Sequence, residues 1–234
     1  MPILLHDLAG ANPDLRFSPY CWRTKLALAH KGLDYDTVPH RFTDRAAIAK
    51  SGQSKVPAIE HDGQWVHDSW QIALFLDETY PDLPLLFPDA AARAQAKFIN
   101  SWCDWSVLPN TRALAVPNVV KIIADEDKAY FRTSREKALG PLEQVGVDRE
   151  AALKTFSQGL KPAEVTLDDQ AFLHGAQPGY GDYALFGTLL WPYVVCADDP
   201  IDPESAVGHW FGRMLALNGG WVAKAPTARS LPAG

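Results

Sequence analysis

The sequence predicts two units in series, a small mixed α/β domain followed by a larger all-helical one. Strand-type runs and the hairpin dipeptide Asp62-Gly63 all fall before residue 81. The stretch Pro81 to Pro88 then sets prolines at 81, 84 and 88, which breaks regular structure. Beyond it the apolar residues recur at helical spacing, and no run reads as a strand. The predicted organisation is therefore a first domain over 1–80, a linker over 81–88 and a helical domain over 89–234.

Ile3-Leu4-Leu5 suits a buried strand, and after the turn formers Gly10, Asn12, Pro13 and Asp14 comes Ser18-Pro19, an N-cap followed by Pro at the first helical position. Trp22, Leu26 and Ala29 share a helical face, and Gly32 suits the left-handed stop. Asp34 to His40 reads as a second strand, and Thr43 or Asp44 as the cap of a short helix reaching about Lys50. Val56 to Glu60 and Gln64 to His67 flank Asp62-Gly63 as hairpin strands. Asp68-Ser69 opens a helix with Ile72, Phe75, Leu76 and Tyr80 on one stripe. The order βαβαββα, with a crossover joining the first two strands and a hairpin joining the last two, is a thioredoxin-like arrangement.

In the second domain the spacing predicts a long helix near Ala90 to Val107, a helix start at the capping box Thr133-x-x-Glu136, and a helix after Asp148. Two more follow, one from about Gly179 to Cys196 and one capped by Asp202 with Pro203 at its first position. The end of the chain, Ala225 to Gly234, is expected to fray.

Composition excludes several classes. The chain has 234 residues with 22 Lys and Arg against 28 Asp and Glu, a net charge of −6, and no basic cluster of the kind nucleic-acid binding requires. The longest apolar stretch, Ala184 to Ala197, is shorter than the roughly 20 residues a bilayer demands and contains Gly187, Thr188 and Pro192. Residues 1–15 carry neither a secretory apolar core nor an Arg-rich amphipathic pattern, so a cytoplasmic protein is expected. Cys21, Cys103 and Cys196 are odd in number and widely spaced, which suits a reducing compartment and gives no disulfide framework or four-ligand zinc site. His61 and His67 flank the hairpin without a third ligand in view, so no metal is expected.

A thioredoxin-like fold places its working residue where the first helix begins, because unpaired N–H groups and the helix dipole favour negative charge there. In this chain that position is Ser18. Ser18-Pro19-Tyr20-Cys21 has the layout of a C-P-x-C redox motif with serine in place of the first cysteine, which removes dithiol exchange within the motif. The hydroxyl can still donate a hydrogen bond to another molecule's thiolate. Judged alone, Ser18 is first an N-cap, Cys21 a small buried hydrophobe, and Val56-Pro57 and Asp68-Ser69 ordinary strand and cap residues.

Taken together, Phe17-Ser-Pro-Tyr-Cys-Trp-Arg-Thr-Lys25 with the following Ala-Leu-Ala-His-Lys-Gly32, then Lys55-Val-Pro-Ala-Ile59, then Asp68-Ser69, resemble the cytosolic glutathione transferases, and within them the β-aryl-etherase-like group. The resemblance extends more loosely into the second domain, where Pro178-Gly-Tyr-Gly-Asp182 stands at the family's S/T-x-x-D helix cap with Gly179 in place of the hydroxyl residue.

The resemblance implies glutathione as co-substrate, with Ser18 hydrogen-bonded to its sulfur. It implies a cis Val56-Pro57 bond that lets the Val56 backbone pair with the cysteinyl unit of the tripeptide. Ser69 and the adjacent helix amides would hold the γ-glutamyl carboxylate, and Asp68 the α-ammonium. Lys55, Arg41 or His40 would supply the cation for the glycyl carboxylate. An acceptor pocket between the domains would be lined by Tyr20 and Trp22 on one side and by Trp102, Trp105, Trp191 and Tyr193 on the other, receiving a small hydrophobic aromatic electrophile. The implied chemistry is thiolate attack that cleaves a lignin-type β-aryl ether. General conjugation, peroxide reduction and passive binding of hydrophobic ligands are the alternatives. A homodimer is also implied.

Overall fold

Ile3–Leu8 is buried along most of its length, as a strand inside a sheet should be. In the computed structural model, which describes residues 2–44 and 46–230, this strand β1 is central to a four-stranded sheet. β2 (Tyr35–His40) pairs with it in parallel, β3 (Ala58–His61) antiparallel, and β4 (Gln64–His67) lies outside β3, giving the order β2-β1-β3-β4. The edge position of β2 accommodates Pro39, which has no N–H to give to a further strand. Helix α1 (Pro19–His30) connects β1 to β2, and α2 (Ser69–Thr79) follows β4. This is the thioredoxin-like order expected of the sequence.

Ser18, Gly32 and Asp62-Gly63 act where they were expected to in this half. Ser18 caps α1, accepting the Cys21 N–H at 3.3 Å, and Gly32 takes a φ of +66° just beyond the helix. Asp62 and Gly63, at φ 48° and 79°, make the hairpin turn. Between β2 and β3 the short helix is a 3-10 turn, Ala46–Ser51, and the two expected caps make other bonds among the described residues. Thr43 Oγ1 donates to Asp127 at 2.8 Å, and Asp44 Oδ2 accepts the Arg41 N–H at 3.0 Å.

The second half is helical: α3 (Ala90–Trp102), α4 (Leu108–Ile122), α5 (Asp125–Leu139), α6 (Arg149–Gly159), α7 (Lys161–Asp169), α8 (Tyr180–Val195) and α9 (Ala206–Gly220). Several starts differ from those expected. The segment from Ala90 continues through a π turn at Cys103–Val107 directly into α4, which carries Pro109 near its start and Pro117 in its interior. Thr133 lies inside α5 rather than at its start, and Glu136 accepts Arg132 Nη1 at 2.9 Å instead of reaching back to a cap. α9 is capped by Ser205, which accepts the Gly208 N–H at 2.9 Å, while Asp202 shapes the preceding turn by accepting Glu204 N–H at 3.0 Å. At the chain end Ala228–Ser230 forms a 3-10 turn with Arg229 4.7 Å above the Tyr193 ring, so the expected fraying does not apply there, and 231–234 lie outside the described residues. Among the described residues no helix is long and apolar enough to cross a membrane.

The two halves meet where α1 packs on α8. Arg23 of α1 is fully buried. Its guanidinium reaches Asp104 Oδ1 at 2.8 Å, Asn100 Oδ1 at 3.1 Å, Thr188 Oγ1 at 2.8 Å and the Ala184 carbonyl at 3.2 Å. Gly187 permits this approach, since a Cβ there would stand 2.7 Å from the Pro19 carbonyl oxygen and 2.8 Å from Arg23 Cγ. A second tie runs from buried Asp127 of α5, whose carboxylate accepts the N–H groups of Phe42 and Thr43 at 3.2 and 3.1 Å. Gly187→Ala must therefore displace α1 or α8 backbone. The expected cost is about 1–3 kcal/mol of unfolding free energy, read as a lower denaturant midpoint, with weaker glutathione binding because the displaced carbonyl adjoins Ser18.

β1 and β2 are also joined through side chains. His6 Nδ1 and His40 Nε2 are 2.7 Å apart, and the His6 ring packs 4.7 Å from Trp65. Burial lowers the affinity of both rings for protons, and for His6 the neighbouring His40 adds to the effect. Unfolded histidines titrate near 6.5, so below that pH the unfolded chain binds protons that the folded pair resists. Stability should be full above about pH 6.5 and fall as the pH drops through the lowered folded values. Thermal melts from pH 8 to 5 should show this decline, and it should be shallower in His6→Phe.

Candidate active site

A cleft of about 450 Å³ opens between the sheet domain and the helices. One wall is the start of α1, Phe17 to Tyr20, together with Lys55 and Val56 from the loop before β3. The opposite wall comes from α4, α5 and α8 and includes Arg112, Tyr130, Phe131, Arg135 and Trp191. Phe42, held by the Asp127 tie, closes one side and packs 5.2 Å from Phe131.

Ser18 is 5% exposed and lines the cleft at the α1 N-terminus. Its oxygen uses one lone pair on the Cys21 N–H, which leaves the hydroxyl hydrogen available as a donor. The Val56-Pro57 peptide is cis, and Val56 lines the same cleft. The Asp68 N–H donates to the Pro57 carbonyl at 3.3 Å, so the start of α2 sits beside this segment. Asp68 has a φ of +69°, and its Oδ1 caps α2 by accepting the Trp70 and Gln71 N–H groups at 3.0 and 3.1 Å. Ser69 is buried, its carbonyl accepting the Tyr180 hydroxyl at 2.9 Å. Asp68 and Ser69 border the Val56-Pro57 segment but do not line the cleft itself.

The three cation candidates differ. Lys55 lines the cleft. Arg41 also lines it and pairs with Glu126 at 3.2 Å, an exposed contact that contributes little. His40 also lines the cleft, with its Nε2 2.7 Å from His6 Nδ1.

The aromatic candidates divide as well. Tyr20 and Trp191 line the cleft, and burial with nearby Asp104 raises the Tyr20 phenol further above its ordinary value, so it stays protonated. Trp22 does not face the cleft. It is buried on the other side of α1, its indole N–H given to the Arg16 carbonyl at 3.0 Å, with Lys25 Nζ 3.6 Å over the ring and Trp221 5.7 Å away. Trp105 sits on the outer side of the π turn, 83% exposed, and Trp102 is also outside the cleft. Tyr193 packs against Phe211 at 5.1 Å and under Arg229. The tryptophan and tyrosine content alone gave no direction for these side chains. Sequence reasoning passed over Phe42, Arg112, Tyr130, Phe131 and Arg135, for which the one available signal was position on α4 and α5.

Cys21 is fully buried, and burial with Asp7 nearby drives its thiol well above the ordinary range. It is a packing residue, in line with its reading as a small hydrophobe.

Residues 17–79 match the glutathione S-transferase N-terminal domain, and residues 94–223 match the glutathione S-transferase C-terminal domain. Glutathione S-transferase U28 of Arabidopsis thaliana is 26% identical over 212 residues, covering 88% of this chain and 84% of the relative. The crystal structure of glutathione transferase GSTFuA3 from Phanerochaete chrysosporium is 27% identical, covers 96% of this chain and 94% of its own, and superposes with a TM-score of 0.76. A glutathione complex of CsGST63524 from Ceriporiopsis subvermispora shares the fold at a TM-score of 0.75 and 24% identity, over 96% of this chain and 95% of that one. The chain thus belongs to the glutathione S-transferase family, whose co-substrate is glutathione, and its cleft joins the two domains that define that family.

Proposed function

We propose that Ser18 holds the glutathione sulfur as a thiolate and that the acceptor is a lignin-type β-aryl ether. The observation carrying the first part is the Ser18 hydroxyl on the cleft wall at the start of α1, where it accepts the Cys21 N–H. A free thiol titrates near 8.5, and bringing it to about 6.5 requires roughly 2.7 kcal/mol. One charge-assisted hydrogen bond supplies about 1.5–3 kcal/mol and the helix terminus about 0.3–1. The two together are of the required size.

Val56 would pair its backbone with the cysteinyl unit, and the α2 amides with Ser69 and the Asp68 carboxylate would take the γ-glutamyl end. Lys55, assisted by Arg41, would meet the glycyl carboxylate; His40 is spoken for by His6. The acceptor would lie against Tyr20, Phe42, Tyr130, Phe131 and Trp191, walls suited to an aromatic body. The thiolate attacks the ether-bearing carbon, the C–S bond forms as the C–O bond breaks, and the pair of electrons leaves on a phenolate. The thiol proton released at the outset returns to that phenolate, either through solvent or through the neutral Tyr20 hydroxyl. The enzyme mainly positions two reactants and keeps one ionised. This reading includes the homodimer that the family resemblance implies, and a single-chain mass in sedimentation would remove that part.

Ser18→Ala should lower turnover about a hundredfold, the typical loss of one key electrostatic donor, while glutathione affinity changes little. Ultraviolet titration of the bound thiolate should show its apparent pKa rising toward that of free glutathione. Incubation of a β-aryl ether dimer with glutathione between pH 6 and 9 should yield a thioether and a phenol in equal amounts. Conjugation of aryl halides without any ether cleavage would retain the transferase and discard the ether as acceptor.

A further inference from the structure

The acceptor wall of the cleft holds more positive charge than its own acids answer. Arg112 on α4 and Arg135 on α5 are each half-buried and both line the cleft. The Arg135 guanidinium lies 4.9 Å from the Phe131 ring centre and 5.8 Å from that of Phe42, and it donates to Ser134 Oγ at 3.2 Å. Among the described residues neither arginine stands in an ion pair. The surrounding carboxylates are committed to other groups. Glu126 meets the Arg41 side chain, Asp44 its N–H, Asp127 the Phe42 and Thr43 amides, and Asp104 the Arg23 guanidinium. The two guanidiniums also feel each other: burial and the Arg112 charge both act against the Arg135 cation, with Tyr130 acting the other way. Two like charges lining one half-buried cleft without an acidic partner form a poor arrangement until an anion joins them.

We infer that Arg112 and Arg135 form an anion subsite that receives the carboxylate of an aromatic electrophile. The inference rests on the cleft being the acceptor pocket. A planar guanidinium presents paired N–H donors that match a carboxylate, and Arg135 is already oriented by the aromatic faces on which it lies. The body of the same ligand would rest on Phe42, Tyr130 and Trp191. The glycyl carboxylate of glutathione is a different anion with a different place, because Lys55 and Arg41 belong to the sheet domain on the Val56 side while Arg112 and Arg135 belong to the helices. Acceptors of the form aryl ether plus carboxylate are therefore favoured over their neutral counterparts.

The test compares 4-phenoxybenzoate with 4-phenoxybenzamide, equal in shape and different in charge, by calorimetry on the full chain with saturating glutathione. The acid should bind about tenfold more tightly than the amide, the scale of one charge-assisted pairing. Arg112→Gln and Arg135→Gln should each narrow that ratio several-fold, the double variant should bring it near one, and Arg112→Lys should fall between. Either single variant suffices if the double one does not fold. Equal binding of acid and amide by the unaltered protein, or no binding of either, would overturn the subsite. So would a ratio that survives the substitutions, or variants that lose affinity for glutathione in place of the acid. A failure of ether cleavage leaves these affinities readable, which separates the two proposals.

Discussion

A guanidinium without water must be answered on every side, and Arg23 is where this requirement shapes the molecule. Its partners come from α3, from the π turn and from α8, so the first helix of the sheet domain is bound to three pieces of the helical domain by bonds that depend on direction. Apolar contact alone would let α1 slide or rotate against α8 at small cost, whereas this network admits one arrangement. Ser18 lies barely more than one turn upstream, at the end of the same rigid helix. Its hydroxyl is aimed at the cleft by a cation that never touches the cleft. The Asp127 carboxylate does a similar service for Phe42, fixing the loop after β2 to the start of α5.

Capping and sulfur binding might look like rival uses of Ser18, yet a hydroxyl can serve both. Its oxygen accepts the Cys21 N–H through a lone pair, and the hydroxyl still carries one hydrogen to donate. Aspartate would cap α1 equally well, but it offers no donor and would set a negative charge against the thiolate. Cysteine would bring back redox chemistry. The neighbouring Cys21 could not supply it, since burial and Asp7 hold its sulfur as the neutral thiol. On the proposed role of Ser18, the residue type at position 18 is thus constrained from two directions, by the helix and by the ligand.

Much of the sheet domain was legible because its signals are local and strong: Ser18-Pro19, Asp62-Gly63 and Asp68 each fix a boundary within a few residues. The helical domain was harder. Pro109 and Pro117 conceal α4, since a proline inside a helix costs one backbone bond that packing can offset, and the one-residue slack of the π turn leaves no local mark. Thr133 and Glu136 have the spacing of a capping box but sit mid-helix, where tertiary contacts decide. Gly179 departed from the family's helix-cap pattern for a reason only the fold reveals. A Cβ there would stand 2.6 Å from the His174 ring, and His174 Nε2 itself accepts the Gly181 N–H at 3.1 Å, taking over part of the missing hydroxyl's work. In the cleft, Ser18, Tyr20, Lys55, Val56 and Trp191 followed from motif and position. Trp22, Trp105 and Tyr193 did not, because an aromatic residue carries no record of which way its helix faces.

The cleft divides its chemistry by domain. Everything assigned to glutathione comes from the sheet domain, where backbone geometry near Val56, Asp68 and Ser18 leaves little freedom to change a residue without moving the fold. The proposed acceptor wall comes from helix surfaces, where Arg112, Tyr130 and Arg135 project from α4 and α5, the last two against the Phe42 ring. A charge at such a position reads in sequence as an ordinary solvated helix face. It acquires meaning only where the opposite domain covers it and removes part of the water, since charges in bulk solvent interact weakly and are screened over about 8–10 Å, while half-buried ones are screened much less. The two tasks are nonetheless coupled through charge. The positive wall adds to the field that would favour a thiolate beside Ser18, so removing it to change the preferred acceptor also weakens that field.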